Sequence, residues 1–299
     1  MKVGVNTLLW TAGFTEQHLG LIGKAKSLGM DLIEMATFDF ASFPCAAARR
    51  ELAAQEMPGV MCSALVAGMS LATDDAALRA QSLEFLRAGI RTTAEAGLDL
   101  LVGPFCSAVG YLPGRRRTEE EWKRCVDGLQ QLGRTCDEYN VRLAVEPLNR
   151  FETFFLNTAA DAKRLCDEVG HAKIGVLYDT FHANIEEKNQ AAAIAAVGAH
   201  IFHVHTCEND RGIPGSGPID WPGVVGALKK IGYAGPLVIE SFGPGIKEIA
   251  AAACIWRDLA VSPDDIPVQG AANLRRLLYP LEIFSELFPA RYVSKLSEY

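Results

Sequence analysis

The feature that most constrains this chain is an eightfold alternation of short apolar runs with longer helical patterns. Apolar runs buried on both faces belong to parallel sheets, where the crossovers between strands are helices. Strands are expected at 2–7 ("KVGVNT"), 31–36 ("DLIEMA"), 60–66 ("VMCSALV"), 99–105 ("DLLVGPF"), 141–147 ("VRLAVEP"), 173–180 ("KIGVLYDT"), 200–206 ("HIFHVHT") and 236–242 ("PLVIESF"). Helices are expected over 16–29, 45–57, 75–96, 118–139, 158–170, 187–198 and 222–232, with further helix over 247–260 and 270–287. Gly29 and Gly97 close two of them, as glycine does just past a helix end. Asn157 or Thr158 caps the 158–170 helix.

Eight β/α units in about 250 residues indicate one closed (β/α)8 TIM barrel. A doubly wound sheet is the alternative, but its strand count is usually lower and no GxGxxG turn follows the first strand. No shift of composition marks a linker. Residues 1–299 therefore read as a single α/β barrel domain, with 262–299 as a C-terminal helical extension packed on the barrel.

The chain has 49% apolar and 22% charged residues, a composition with ample core. Its net charge of −7, with no long basic block, argues against nucleic-acid or anionic-membrane binding. No apolar run approaches the ~20 residues of a membrane span. No leader is expected, because "MKVGVNTLLW" enters a strand pattern at once. The eight cysteines are scattered and form no CxxC pair. They read as reduced thiols of a cytoplasmic protein rather than a zinc site or a disulfide framework.

Functional side chains of such barrels stand at the C-terminal ends of the strands. Here the fifth strand ends in Glu146, the sixth in Asp179, the seventh in His205 and the eighth in Glu240. One buried acid has an ordinary explanation, an arginine partner or a helix N-terminus. Four metal-capable side chains at one rim are harder to explain separately. Three crowded carboxylates repel, and at least one stays protonated unless a cation intervenes. Oxygen-rich ligands with one imidazole favour Mn²⁺, Mg²⁺ or Co²⁺ over a thiolate-seeking metal. His203 shares a face with His205 and reads as a hydrogen-bonded core histidine one layer deeper. His182, Arg211 and Glu152 lie just past the ligand strands and read as substrate contacts. The Arg115–Arg117 run reads as a solvated face or subunit contact.

At these residues the chain resembles the ketose 3-epimerases (D-tagatose, D-psicose (allulose) and L-ribulose 3-epimerases) of the xylose-isomerase-like TIM barrels. The segments that carry the resemblance are "EPLNRFE", "YDTFHANIEE", "HVHTCENDR", "PGSGPIDW" and "VIESF", in order along a layout running from Val3 to about Leu278. The resemblance implies metal ligands at Glu146, Asp179, His205 and Glu240, and an acid/base pair in Glu146 and Glu240. It assigns Glu152, His182 and Arg211 to the O1–O3 end of a free ketose. It implies epimerisation at C3 through an enediolate, with Mn²⁺ foremost, Co²⁺ or Mg²⁺ as alternatives, and no organic cofactor. It also implies a homodimer or homotetramer. Ser216 departs from the acidic residue expected in the tagatose version, and the fourth-strand exit "GPFCSAVGYLPGRRR" matches no family pattern residue by residue, so the ketose stays open. An inosose dehydratase or isomerase, a related sugar isomerase or a hydroxypyruvate isomerase shares the fold and metal site. An apurinic endonuclease would need more than the six histidines present and a basic face. A non-catalytic sugar- or metal-binding barrel would not need two opposed bases.

Overall fold

Strand β1 (Val3–Asn6) sends Val3 and Val5 outward under the helices, and Gly4 and Asn6 inward. The same two-residue alternation recurs in β2 (Leu32–Ala36), β3 (Gly59–Cys62), β4 (Leu100–Gly103), β5 (Arg142–Val145), β6 (Ile174–Asp179) and β8 (Leu237–Ile239), and in β7 (Ile201–His205) with one residue inserted after Ile201. All neighbours pair in parallel, and β8 pairs with β1 to close the barrel in the order β1 to β8. The structure is a computed structural model that describes residues 1–243 and 245–279.

Two apolar layers follow from that alternation. The inner one fills the barrel with Leu32, Ala36, Val60, Leu100, Val102, Ala144, Leu177 and Val238. The outer one joins Val5, Ile33, Met61, Leu101, Leu143, Val176, Val204 and Ile239 to the helices. Those helices are α1 (Gly20–Ser27), α2 (Cys45–Ala54), α3 (Ala76–Glu95), α4 (Glu119–Tyr139), α5 (Ala159–Val169), α6 (Thr180–Glu186), α7 (Gln190–Val197), α8 (Trp221–Lys230), α9 (Lys247–Ala252) and α10 (Asp265–Leu278). Thr158 caps α5, accepting from the Asp161 N–H. Each cysteine is a free thiol.

The departures from the expected spans have local causes. Strand β3 stops at Cys62, and the "SALV" that follows is loop lining the barrel mouth. Strand β4 stops at Gly103, whose φ of +146° suits only glycine and whose added Cβ would lie 1.8 Å from the Ser63 carbonyl oxygen. Helix begins directly at the end of β6, because Asp179 accepts from the Phe181 and His182 N–H groups. The expected 187–198 helix is α7 alone, capped by Asn189. Helix α10 starts at Asp265 rather than 270 and packs on β1, β8 and α8 through Ile266, Ala271 and Leu274. The remainder of the expected extension, 280–299, lies outside the described residues. Among the described residues no helix is long and apolar enough to cross a membrane.

Candidate active site and metal centre

The parallel register delivers the strand ends to one rim. Asp179 and His205 are paired residues of β6 and β7, Glu146 follows the last residue of β5, and Glu240 follows the last residue of β8. One ligand atom from each of Glu146, Asp179, His205 and Glu240 falls within 4.8 Å of the others, and all four residues are buried. His205 Nδ1 stands 3.4 Å from Glu240 Oε2, 3.6 Å from Asp179 Oδ2 and 3.8 Å from Glu146 Oε1.

The electrostatics are those of a crowded acid cluster. Burial holds the Glu146 carboxyl well above its usual range; His205 opposes this, while Glu240 and Asp179 add to it. Burial also opposes ionisation of Asp179, but Arg211 foremost, with His205, outweighs it and holds that carboxyl well below its usual range. The His205 imidazole is disfavoured as a cation by burial, yet Glu240 and Glu34 more than offset this and raise its pKa. Protein cations balance the charge that a divalent ion could balance instead. A metal fits on two further grounds. Glu146 Oε1 and His205 Nδ1 are buried without a hydrogen-bond partner. Three carboxylates and one imidazole also form a hard, oxygen-rich donor set.

The three residues expected to hold substrate converge on the same place. Arg211 is only 4% exposed; its Nη1 donates to Asp179 Oδ2 at 2.7 Å and to Glu240 Oε2 at 2.8 Å. Its Nη2 lies 3.0 Å from His182 Nε2. His182 is buried, and burial lowers its pKa to about 3, so the ring is neutral. Glu152 accepts from Asn149 Nδ2 at 2.8 Å, and the same nitrogen lies 2.9 Å from His182 Nδ1. Glu146, Glu152, His182, Arg211 and Glu240 line a cavity of about 440 Å³ whose remaining wall is largely apolar, including Leu8, Phe38, Leu65, Leu148 and Phe242. A larger groove of about 750 Å³ lies alongside under Tyr111 and Arg115, but none of the strand-end ligands lines it.

Several residues of the site escape a reading of strand ends. Asn149 sits between Glu146 and Glu152 in "EPLNRFE" and links Glu152 to His182. Glu34 and Asn6 lie inside the barrel on β2 and β1, in contact with His205 and Glu240. Cys62 and Cys207 add buried thiols, Cys207 Sγ lying 2.9 Å from Arg211 Nη1. For Asn149, the nearest sequence signal is its place between two acids already singled out. His203 does lie deeper, with Nε2 2.7 Å from Glu34 Oε2, but as an ion-pair contact: neither of its ring nitrogens is in hydrogen-bond geometry, contrary to the hydrogen-bonded histidine expected. Arg115 pairs with Glu121, and Arg117 with Asp161, on the outer wall.

A sequence profile of the xylose isomerase-like TIM barrel family matches residues 22–274. A probable ketose 3-epimerase of Synechocystis sp. is 34% identical over 92% of this chain and 96% of its own length. An L-ribulose 3-epimerase of Mesorhizobium japonicum is 29% identical over 86% of this chain and 88% of its own. The crystal structure of a D-allulose 3-epimerase from Methylomonas sp. in complex with D-allulose superposes with a TM-score of 0.87 at 28% identity, covering 92% of this chain and 96% of that one.

Proposed function

The chain belongs to the ketose 3-epimerase family of xylose isomerase-like TIM barrels, an isomerase family, and from that premise we propose that it catalyses metal-dependent epimerisation at C3 of a free ketose, of the D-tagatose, D-psicose/D-fructose or L-ribulose type. One observation carries the reading: two buried glutamates, at the ends of strands β5 and β8, reach the same cluster around His205 and line one cavity. Glu146, Asp179, His205 and Glu240 would hold the ion, Mn²⁺ foremost, with Co²⁺ or Mg²⁺ as alternatives. When bound, it supplies Lewis acidity toward the ketose carbonyl. Glu146 and Glu240 are the acid/base pair. One, as carboxylate, takes the C3 proton; the other, as carboxylic acid, returns its own to the opposite face, and C3 inverts. After turnover each glutamate carries the other's starting protonation state, and the reverse reaction restores both. Arg211, His182 and Glu152 hold the hydroxyls beside the reacting carbon, and Leu8, Leu65 and Phe242 exclude water.

The test is incubation with a panel of free ketoses in D₂O. Deuterium is expected at C3, lost on treatment with a chelator and regained with Mn²⁺ or Co²⁺. Glu240→Gln should slow the exchange by about 10²–10⁴-fold with the fold intact. Exchange confined to C1 of an aldose–ketose pair, loss of water from the sugar, or full activity without metal would each overturn the reading. The proposal extends to a cytoplasmic homodimer or homotetramer. Exposed Phe151, Tyr111 and Leu112, on the loops after β5 and β4, are apolar surface that an assembly could cover. Light scattering at the monomer mass of 32.4 kDa would remove that part.

A further inference from the structure

Beneath the four strand-end ligands lies a second buried set of ionisable side chains that the proposed reaction does not use. Glu34 projects from the middle of β2 into the barrel and has no exposed surface. Its Oε1 is 2.8 Å from His205 Nε2, and its Oε2 is 2.7 Å from His203 Nε2. Asn6 completes the set, and its amide orientation is fixed by the chain itself: the Leu8 N–H donates to Asn6 Oδ1 at 2.8 Å. Asn6 Nδ2 therefore faces Glu34 and donates to Oε1 at 2.6 Å.

That chain of donors and acceptors decides which nitrogen of His205 carries the proton. Glu34 Oε1 accepts from Asn6, as a carboxylate oxygen does. His205 Nε2, at 2.8 Å from the same oxygen, is the donor. Its Nδ1, buried and without a hydrogen-bond partner, is left to face Glu146, Asp179 and Glu240.

We propose that Glu34, oriented by Asn6 and backed by His203, is a positioning residue that fixes the His205 ring with its proton on Nε2 and its Nδ1 lone pair toward the metal site. A carboxylate behind a ligating histidine sets the tautomer and raises the basicity of the ligand, and losing one commonly costs 10–100-fold in metal affinity. Glu34 then acts through His205 and touches no substrate.

The proposal rests on the metal reading given above, and the test separates the two. The affinity of the full chain for Mn²⁺ alone is measured by competition with a fluorescent chelator, with metal counted after equilibrium dialysis. Wild type should bind one ion per chain. Glu34→Gln keeps the shape and a neutral acceptor but loses the charge, and should weaken binding roughly tenfold. Glu34→Leu should weaken it toward 100-fold. The KM for the ketose should hold in both variants once Mn²⁺ is saturating. In Mg²⁺-loaded wild type, ¹⁵N–¹H spectra of the imidazoles should show His205 protonated on Nε2, a reading that needs no variant to fold. A His205 protonated on Nδ1 overturns the proposal. So does a folded Glu34→Gln protein with wild-type Mn²⁺ affinity, and so do two ions per chain that fall to one in that variant, since Glu34 would then be a ligand itself. Wild type that binds no Mn²⁺ overturns the metal reading instead, while Glu34 is still judged by the His205 tautomer in the metal-free protein at a pH high enough to leave the ring neutral, where the proton should stay on Nε2.

Discussion

Arg211 concentrates the chemistry of the site in one side chain. Its guanidinium reaches Asp179, Glu240 and His182, with Phe181 on one side at 4.0 Å and Phe242 at 5.1 Å from the ring centres. A planar fork between aromatic faces is a geometry that lysine cannot reproduce. Arg211→Lys should therefore keep the fold and lower kcat/KM by about 100-fold, read by steady-state kinetics at saturating Mn²⁺; an undiminished value would remove Arg211 from the substrate grip. From sequence, Arg211 is a cation six residues past His205, equally at home in solvent. Arg211 sits in a loop folded around Glu208, which reads as one more loop acid in "CENDR". In the folded chain the Glu208 carboxylate is fully buried and accepts from the Asn209, Gly215 and Ile219 N–H groups and from Trp221 Nε1. Ser241 Oγ then pins the Arg211 carbonyl at 2.7 Å, and Arg211 itself adopts a φ of +67°, uncommon for a residue with a side chain. No local pattern announces a loop folded around a buried carboxylate, because its partners are backbone groups up to 11 residues away and an indole 13 residues away.

At the scale of strands, the side on which His203 and His205 point depends on one extra residue. Ile201 and Val204 belong to the outer layer, whereas Phe202 packs against the inner one. Strict alternation from Ile201 would carry both histidines outward. The pairing instead steps from Val176 opposite Ile201 to Leu177 opposite His203, so β7 spends one extra residue, Phe202, and both histidines turn into the barrel. The spacing of "HVH" makes the two histidines share a face; it does not choose the face, because a bulge is a property of the pair of strands. Gly175 on β6 makes the room: a Cβ there would lie 2.4 Å from Phe202 Cδ2, close to the root of the ring. Gly175→Ala should thus cost about 1–3 kcal/mol by overpacking and weaken Mn²⁺ binding through His205. Phe202→Leu in the same chain should restore part of both losses. Thermal melts and Mn²⁺ titration of the two single variants and the double variant measure this, and a Gly175→Ala protein as stable as wild type would show that the bulge tolerates the methyl group.

Across the whole molecule, the barrel spends stability to assemble its site. The eight apolar runs are readable in sequence because strands buried on both faces admit little else, and the four strand ends are readable because their polar residues interrupt those runs. Glu34 is not, since a lone acid inside "LIEMA" looks like an outward-facing break until the closed barrel turns it toward His205. The closed barrel thus brings Glu34, Glu146, Asp179 and Glu240 together at one end, with protein cations alone to offset them. Glu146 carries the clearest cost: its carboxyl is held well above its usual range, so as pH rises past the range of a free carboxyl the folded state keeps a proton that the unfolded chain releases, and an ionised Glu146 opposes folding. A neutral amide removes that conflict, while an ion removes it only where the carboxylate remains to bind. The two conditions should therefore reverse the order of the melts. With chelator present, Glu146→Gln should unfold at or above the wild-type temperature. With Mn²⁺ at 100 times its dissociation constant, wild type should gain about 2.7 kcal/mol and melt above the variant, whose curve should move little. Calorimetry of both proteins in both buffers reads the outcome, and a variant less stable than wild type in chelator, or a wild type indifferent to Mn²⁺, would mean that the acid cluster is not the strained element of this barrel.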